Sequence, residues 1–187
     1  MDIRKIALVT VITVMSSVSI AAGFDGPFVQ AGVGFAESAT DVHFTNWFTA
    51  KPSDNSFAGQ ISAGYSKSFG RFNLAGNVYY VLGHQKAGTT IQAWEPSQVD
   101  TVNMKLQNAR GVSIEPGLNI NEASLVYVKL GYSQAEGTWT FTRPNDSYSA
   151  TPTFHGFSFG AGAKHKFSNH LYGFAEVQKT SFKRKNV

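Results

Sequence analysis

Seven stretches of this chain alternate apolar residues with small or polar ones at a period of two. They lie at 28–36, 57–66, 72–82, 106–120, 126–132, 156–167 and 171–182. Successive side chains of a strand point to opposite faces, so each stretch reads as a strand with one apolar and one polar face. Phe72, Leu74, Val78, Tyr80 and Leu82 share a face, opposed by Asn73, Ala75, Asn77 and Tyr79. Phe57, Ile61, Ala63 and Tyr65 oppose Gln60, Ser62, Gly64 and Ser66, and Phe157, Phe159, Ala161, Ala163 and Phe167 oppose Ser158, Gly160, Gly162, Lys164 and Lys166. A soluble sandwich or lipocalin-like barrel alternates too. The small residues on the polar face suit a narrow lumen, and aromatics near strand ends (Tyr65, Phe72, Tyr132, Phe167, Tyr172) suit interfacial girdles. The expected fold is therefore all-β: an antiparallel up-and-down transmembrane β-barrel of eight strands, seven of them visible.

The N-terminus precedes this pattern and differs from it. Arg4 and Lys5, a mostly apolar segment over 6–20, and the small residues Ala21, Ala22 and Gly23 follow the order of a secretory signal peptide, with cleavage near Ala22. A membrane anchor is the rival reading. It is opposed by Thr10, Thr13, Ser16, Ser17 and Ser19, and by an apolar run shorter than the roughly 20 residues a helical span needs. The expected organisation is a signal peptide over 1–22 and one barrel domain over 23–187.

Composition narrows the classes further. The chain has no cysteine, so neither disulfides nor thiol chemistry is available to it. Without long apolar helices, a closed barrel is the way such a chain crosses a bilayer, because closure satisfies every backbone group. The formal net charge of +4 falls to +3 once Asp2, Arg4 and Lys5 are removed, too small an excess for a nucleic-acid footprint. Outer-membrane lipid is the expected surrounding, with localisation to the outer membrane of a Gram-negative cell and a monomeric state.

Connection lengths supply an orientation. The segments 68–71, 119–123 and 168–170 are short, whereas 37–56, 83–105 and 136–153 are long and rich in Asp, Ser, Thr, Asn and Pro. Short periplasmic turns and long outer loops are the rule for these barrels, so the first strand is expected to run outward. Trp47, Trp94 and Trp139 lie in or beside the long segments. They read as interfacial or loop-packing residues, or as contacts for a host or envelope surface ligand.

The expected lumen face carries four ionisable residues, Glu115, Lys129, Lys164 and Glu176. Glu176 shares its parity with the bulky Tyr172 and Phe174. A charge inside a small barrel must be paired. Two acids and two bases predict a network that plugs the lumen; the alternative is a narrow path whose selectivity those residues set.

No catalytic, metal or cofactor site is expected. His155 and Ser158 stand three apart on a strand, so their side chains face opposite ways, and no acid flanks them to orient the histidine. His43, His84, His155, His165 and His170 show no His-x-x-x-His spacing. Gly160-Ala161-Gly162 lacks a following Lys-Ser/Thr and reads as close-packed strand rather than a phosphate cradle.

Several segments resemble a known family. The run from Gly26 to Phe35 after a leader resembles the first strand of small opacity-type outer-membrane proteins. Ser113-Ile114-Glu115-Pro116-Gly117-Leu118 and the run from Val126 to Tyr132 are similar to that family's fourth and fifth strands. Phe159 to Lys164 and Leu171 to Glu176 are similar to its sixth and seventh. The resemblance implies an eight-stranded barrel of the porin superfamily, similar to the OmpA membrane domain, with no shared catalytic residues and no cofactor. Members of that family end on a strand closing with an aromatic residue. Here Phe182 is followed by Lys183-Arg184-Lys185-Asn186-Val187, so the eighth strand is expected beyond position 187. Alternatively, two strands are merged near the apolar patch at 91–94. The functional expectation is a structural or surface-interacting barrel with a plugged lumen and long outer loops. A narrow passive porin and a soluble periplasmic ligand-binding barrel are the alternatives.

Overall fold

The computed structural model describes residues 9–21, 24–40, 42–44, 48–50, 53–83, 85–95, 98–143 and 146–182. Side chains are described for 24–37, 57–83, 106–138, 149 and 151–182. The chain forms β1 (Val9–Ala21), β2 (Gly26–Thr40), β3 (Val42–Phe44), β4 (Phe48–Ala50), β5 (Ser53–Phe69) and β6 (Phe72–Leu82). It continues with β7 (Gln85–Glu95), β8 (Gln98–Asn119), β9 (Ser124–Arg143), β10 (Asp146–Ala150), β11 (Thr153–Lys166) and β12 (Leu171–Phe182).

Eight of these strands close into an antiparallel ring in the order β1, β2, β5, β6, β8, β9, β11, β12 and back to β1. All seven strands expected from the alternation are present. The eighth stave is β1, the segment whose layout reads as an export leader. It runs antiparallel to β12 on one side and β2 on the other, with Val14 opposite both Val177 and Phe35. Val9, Thr10, Val11, Ile12, Thr13, Val14, Val18 and Ile20 make it rich in β-branched residues, which suit a pleated strand.

The apolar patch at 91–94 is not a further stave. It lies in β7, which continues β6 beyond Gly83 and pairs with the upper part of β8, Gln85 opposite Leu106 and Ile91 opposite Thr101. The strands β8 and β9 extend in the same way, and β10 folds back on β9. Much of what the sequence presents as long loops at 83–105 and 136–153 is thus hairpin projecting past the ring. A register shift between Gln107 and Arg110 marks where β8 leaves the ring, with Asn108 in the left-handed region at φ 55°. At the opposite end the turns are tight. Gly70, at φ 64°, closes the connection between β5 and β6 in a conformation that favours glycine.

The two faces separate as the period-two pattern requires. Outward residues include Phe35, Phe57, Phe72 and Phe159, each at least 60% exposed. Such a belt of exposed aromatic and aliphatic side chains across the seven staves whose side chains are described suits hydrocarbon rather than water.

Candidate functional site

Inside the ring the side chains stack in layers. At the short-turn end, Phe24, Phe28, Ala75, Leu125, Tyr127, Tyr172 and Phe174 form one apolar cluster. At the other end, Ala36, Ala58, Leu106, Ala135, Phe154 and Phe182 form a second. Between them lie the polar groups. Among the described residues the lumen therefore has an apolar floor and an apolar lid, a feature absent from the sequence expectation of a plug made by charges alone. The signal was present in part: Phe154 and Phe182 have the lumen parity of their strands, whereas Leu106 shares the outward parity of Val112 and Ile114 and turns inward only across the register shift between Gln107 and Arg110.

The middle layer brings together Glu115 on β8, Lys129 on β9, Lys164 on β11 and Glu176 on β12. They are 2%, 2%, 4% and 4% exposed. Lys164 Nζ donates to Glu115 Oε2 at 2.7 Å, and Lys129 Nζ donates to Glu176 Oε1 at 2.8 Å. Lys129 also stands 4.0 Å from Glu115 Oε1, joining the two pairs into one chain of alternating sign. The remaining carboxylate positions are filled by neutral donors. Asn77 Nδ2 donates to Glu115 Oε1 at 2.7 Å, and the Tyr127 hydroxyl donates to Glu176 Oε2 at 2.7 Å. Ser113 in turn donates to Asn77 Oδ1 at 2.8 Å, fixing its amide. Aromatic faces complete the lysine shells: Lys164 Nζ lies 4.6 Å from the Tyr127 ring centroid and 5.3 Å from that of Phe28, and Lys129 Nζ lies 5.3 Å from that of Tyr79. Two acids and two bases leave the layer without net charge, which is the condition for burying ions at tolerable cost.

Each pair skips a stave. Lys164 reaches over β9 to β8, and Lys129 and Tyr127 reach over β11 to β12. Glycines make the second crossing possible. Gly160 sits opposite Lys129, and Gly162 sits between Tyr127 on β9 and Glu176 on β12. A Cβ at Gly162 would meet the Tyr127 Cζ and hydroxyl oxygen, and the Ala175 carbonyl, at 2.6 Å. The FGAGAK run thus provides the space over which the network is laid.

Above the charges is a layer of hydroxyls. Tyr79 and Ser133 are hydrogen-bonded at 2.6 Å, Ser133 also bonds Ser158, and Ser158 and Thr180 meet at 3.0 Å. Toward the short turns, Gln30 donates to the Tyr172 hydroxyl at 2.6 Å and accepts from Ser62 at 3.1 Å. These groups satisfy one another across the lumen.

The other sequence candidates fall elsewhere. Trp47 lies outside the described residues. Trp94 and Trp139 are placed by backbone alone, on β7 and β9, with Trp139 opposite Ala150 and Met104. His155 faces outward and stacks on Tyr132 at 6.0 Å, whereas Ser158 is buried in the lumen, so the two do not meet. Among the described residues, no three His, Asp or Glu side chains converge as a metal-ligand set.

No characterised protein sequence shows significant similarity to the chain. Among solved structures, it is similar to Ail, the attachment invasion locus protein of Yersinia pestis, at 13% identity and a TM-score of 0.33, over 99% of this chain and 100% of that one. Ail in complex with the heparin analogue sucrose octasulfate matches at 11% identity and a TM-score of 0.40, over 97% and 99%. The outer membrane protease OmpT from Escherichia coli matches at 6% identity and a TM-score of 0.42, over 98% and 97%. The sequence profile of the outer membrane protein beta-barrel domain matches residues 6–187. With that match running through every stave of the ring, the chain belongs to the outer membrane protein beta-barrel family.

Proposed function

We propose that this protein is a non-conducting outer-membrane barrel that holds projecting segments at the cell surface for contact with a host or envelope ligand. The observation that carries this reading is the layered lumen. An ion or solute would have to pass an apolar floor, a neutral network of mutually satisfied charges and an apolar lid, and dewetted apolar constrictions are closed to ions. With transport through the lumen blocked, the parts left to act are the long hairpins and the residues that connect them. The same reading assigns no enzymatic role and no cofactor.

The test uses cells that lack their major porins. Expression of the protein should leave uptake of a small chromogenic β-lactam at the background rate. Adherence of those cells to immobilised extracellular-matrix proteins should fall when residues 41–52, between β2 and β5, are replaced by a short Gly-Ser turn. Increased uptake would overturn the reading in favour of a narrow porin, and adherence indifferent to segment replacement would remove the surface role.

The same proposal includes export with removal of residues 1–22. Removal of β1 would leave the facing edges of β12 and β2 unpaired, and open edges in hydrocarbon cost several kcal/mol for each unmet group. The mature barrel would then require another strand in that seam. N-terminal sequencing of the membrane form should give a start near Gly23; a start at Met1 would show that β1 is retained as a stave.

A further inference from the structure

The outward face is not uniformly convex. A shallow furrow of about 610 Å³ crosses it beside Arg110, with Ala63, Val78 and Val112 along its base and Ile61, Tyr80 and Tyr132 as its larger walls. The register explains it. Ala63 is opposite Val78, and Val78 is opposite Val112, so small and medium side chains run in one row across three staves. The row on the long-hairpin side carries Ile61, Tyr80, Arg110 and Gln134.

Arg110 stands where the outward face of β8 changes character. Below it that face reads Val112, Ile114, Pro116, Leu118 and Ile120; level with it on β9 is Gln134, with Glu136 beyond. From Arg110 to Ile120 the axial rise is about 23 Å, taking ~3.3 Å per residue and a ~45° tilt, close to the ~25 Å apolar band of an outer-membrane barrel. Arg110 is thus at the outer boundary of the hydrocarbon. The acid on the neighbouring stave, Glu136, is engaged elsewhere: Asn108 Nδ2 donates to Glu136 Oε2 at 2.7 Å, while Asn108 Oδ1 accepts from the Tyr80 hydroxyl at 2.9 Å. Among the described residues Arg110 makes no ion pair. A guanidinium at the membrane boundary, uncommitted and heading an apolar furrow, is matched by an anion attached to a hydrocarbon chain. Its planar fork of donors suits a phosphate in particular.

We infer that this furrow seats one acyl chain of a phosphate-bearing outer-leaflet glycolipid, with Arg110 binding the phosphate between Tyr80 and Gln134. Retention of lipid by the folded full-length protein, measured by native mass spectrometry after delipidation and addition of defined lipids, tests this. Bisphosphorylated lipid A should be retained about tenfold or more over its dephosphorylated form, the scale of one charge-assisted contact. Arg110→Gln should abolish that preference and Arg110→Lys should restore part of it. Ala63→Phe fills the furrow from outside the lumen and should weaken retention of both forms. Equal retention of phosphorylated and dephosphorylated lipid by the unaltered protein would overturn the phosphate site. Preference for phosphatidylglycerol over lipid A would overturn the outer-leaflet assignment. Retention untouched by Ala63→Phe would overturn the furrow. Gel migration of the unboiled variants verifies that each is folded before it is scored.

Discussion

Lys164→Met is the most exacting perturbation of the lumen network. It removes the 2.7 Å partner of Glu115 Oε2 and leaves that carboxylate with Asn77 at 2.7 Å and Lys129 at 4.0 Å. Removing one member of a buried pair costs about 3–5 kcal/mol, because the other charge stays desolvated. Two surviving partners for Glu115, and a methionine that keeps some contact with the Tyr127 and Phe28 rings, place the expected loss near the lower end, about 3 kcal/mol. Glu115→Gln alone should cost a similar amount, since Lys164 is then left as an unpaired buried cation. The double variant removes both charges and leaves the Lys129–Glu176 pair standing. It should fall within about 1 kcal/mol of the unaltered protein, as replacement of a whole buried pair usually does. The cycle therefore predicts a coupling well above 2 kcal/mol, read from reversible urea unfolding in detergent by tryptophan fluorescence and folded-band gel migration. Additive losses, or a Lys164→Met cost below about 1 kcal/mol, would refute the claim that the charges form one paired layer.

Three further outcomes follow from the same geometry. Glu115→Gln combined with Glu176→Gln should lower the unfolding midpoint without preventing assembly, because backbone pairing is untouched; an unchanged midpoint would argue against the network. Gly162→Ala should cost about 1–3 kcal/mol by forcing the Tyr127 ring off its crossing, whereas Gly76→Ala, with nothing within 4 Å of its new Cβ, should be close to neutral; equal costs at the two sites would contradict the crossing. Hydrogen bonds from Ser68, with Lys67 adding to them, hold the half-buried Asp25 carboxyl below its usual value of 3.8. A depressed folded pKa stabilises above the unfolded value and loses that effect as pH falls through the folded one, so the penalty of Asp25→Asn should be present at pH 7 and shrink at pH 3.

Seven staves of the ring were legible because its two environments impose period two on them, as the outward residues Phe57, Leu74, Val112 and Phe159 show; β1 was not, because its run of apolar and hydroxyl residues has the layout of an export leader. The charge layer was legible for a related reason. Glu115, Lys129 and Lys164 sit at lumen parity, and buried ions must find one another. Their partners were not legible, since Lys129 meets Glu176 by passing over Gly160 and Gly162 on the stave between, and only register and ring order place those positions in line. The apolar floor and lid escaped for the opposite reason. Phe154, Phe182 and Tyr127 point inward, where alternation alone expects polar or small residues, and they fit there because Gly137, Gly156 and Gly162 leave room. Nor does local sequence separate hairpin from loop at 85–106, where Thr, Gln, Asn and Asp are spread along strands that extend past the ring.

Bilayer conductance of the purified, reconstituted protein tests the sealed lumen most directly. The layered arrangement predicts a flat baseline across the voltage range for the unaltered protein and for the Lys164→Met/Glu115→Gln pair, since floor and lid remain in both. Discrete, reproducible current steps from the unaltered protein would contradict it.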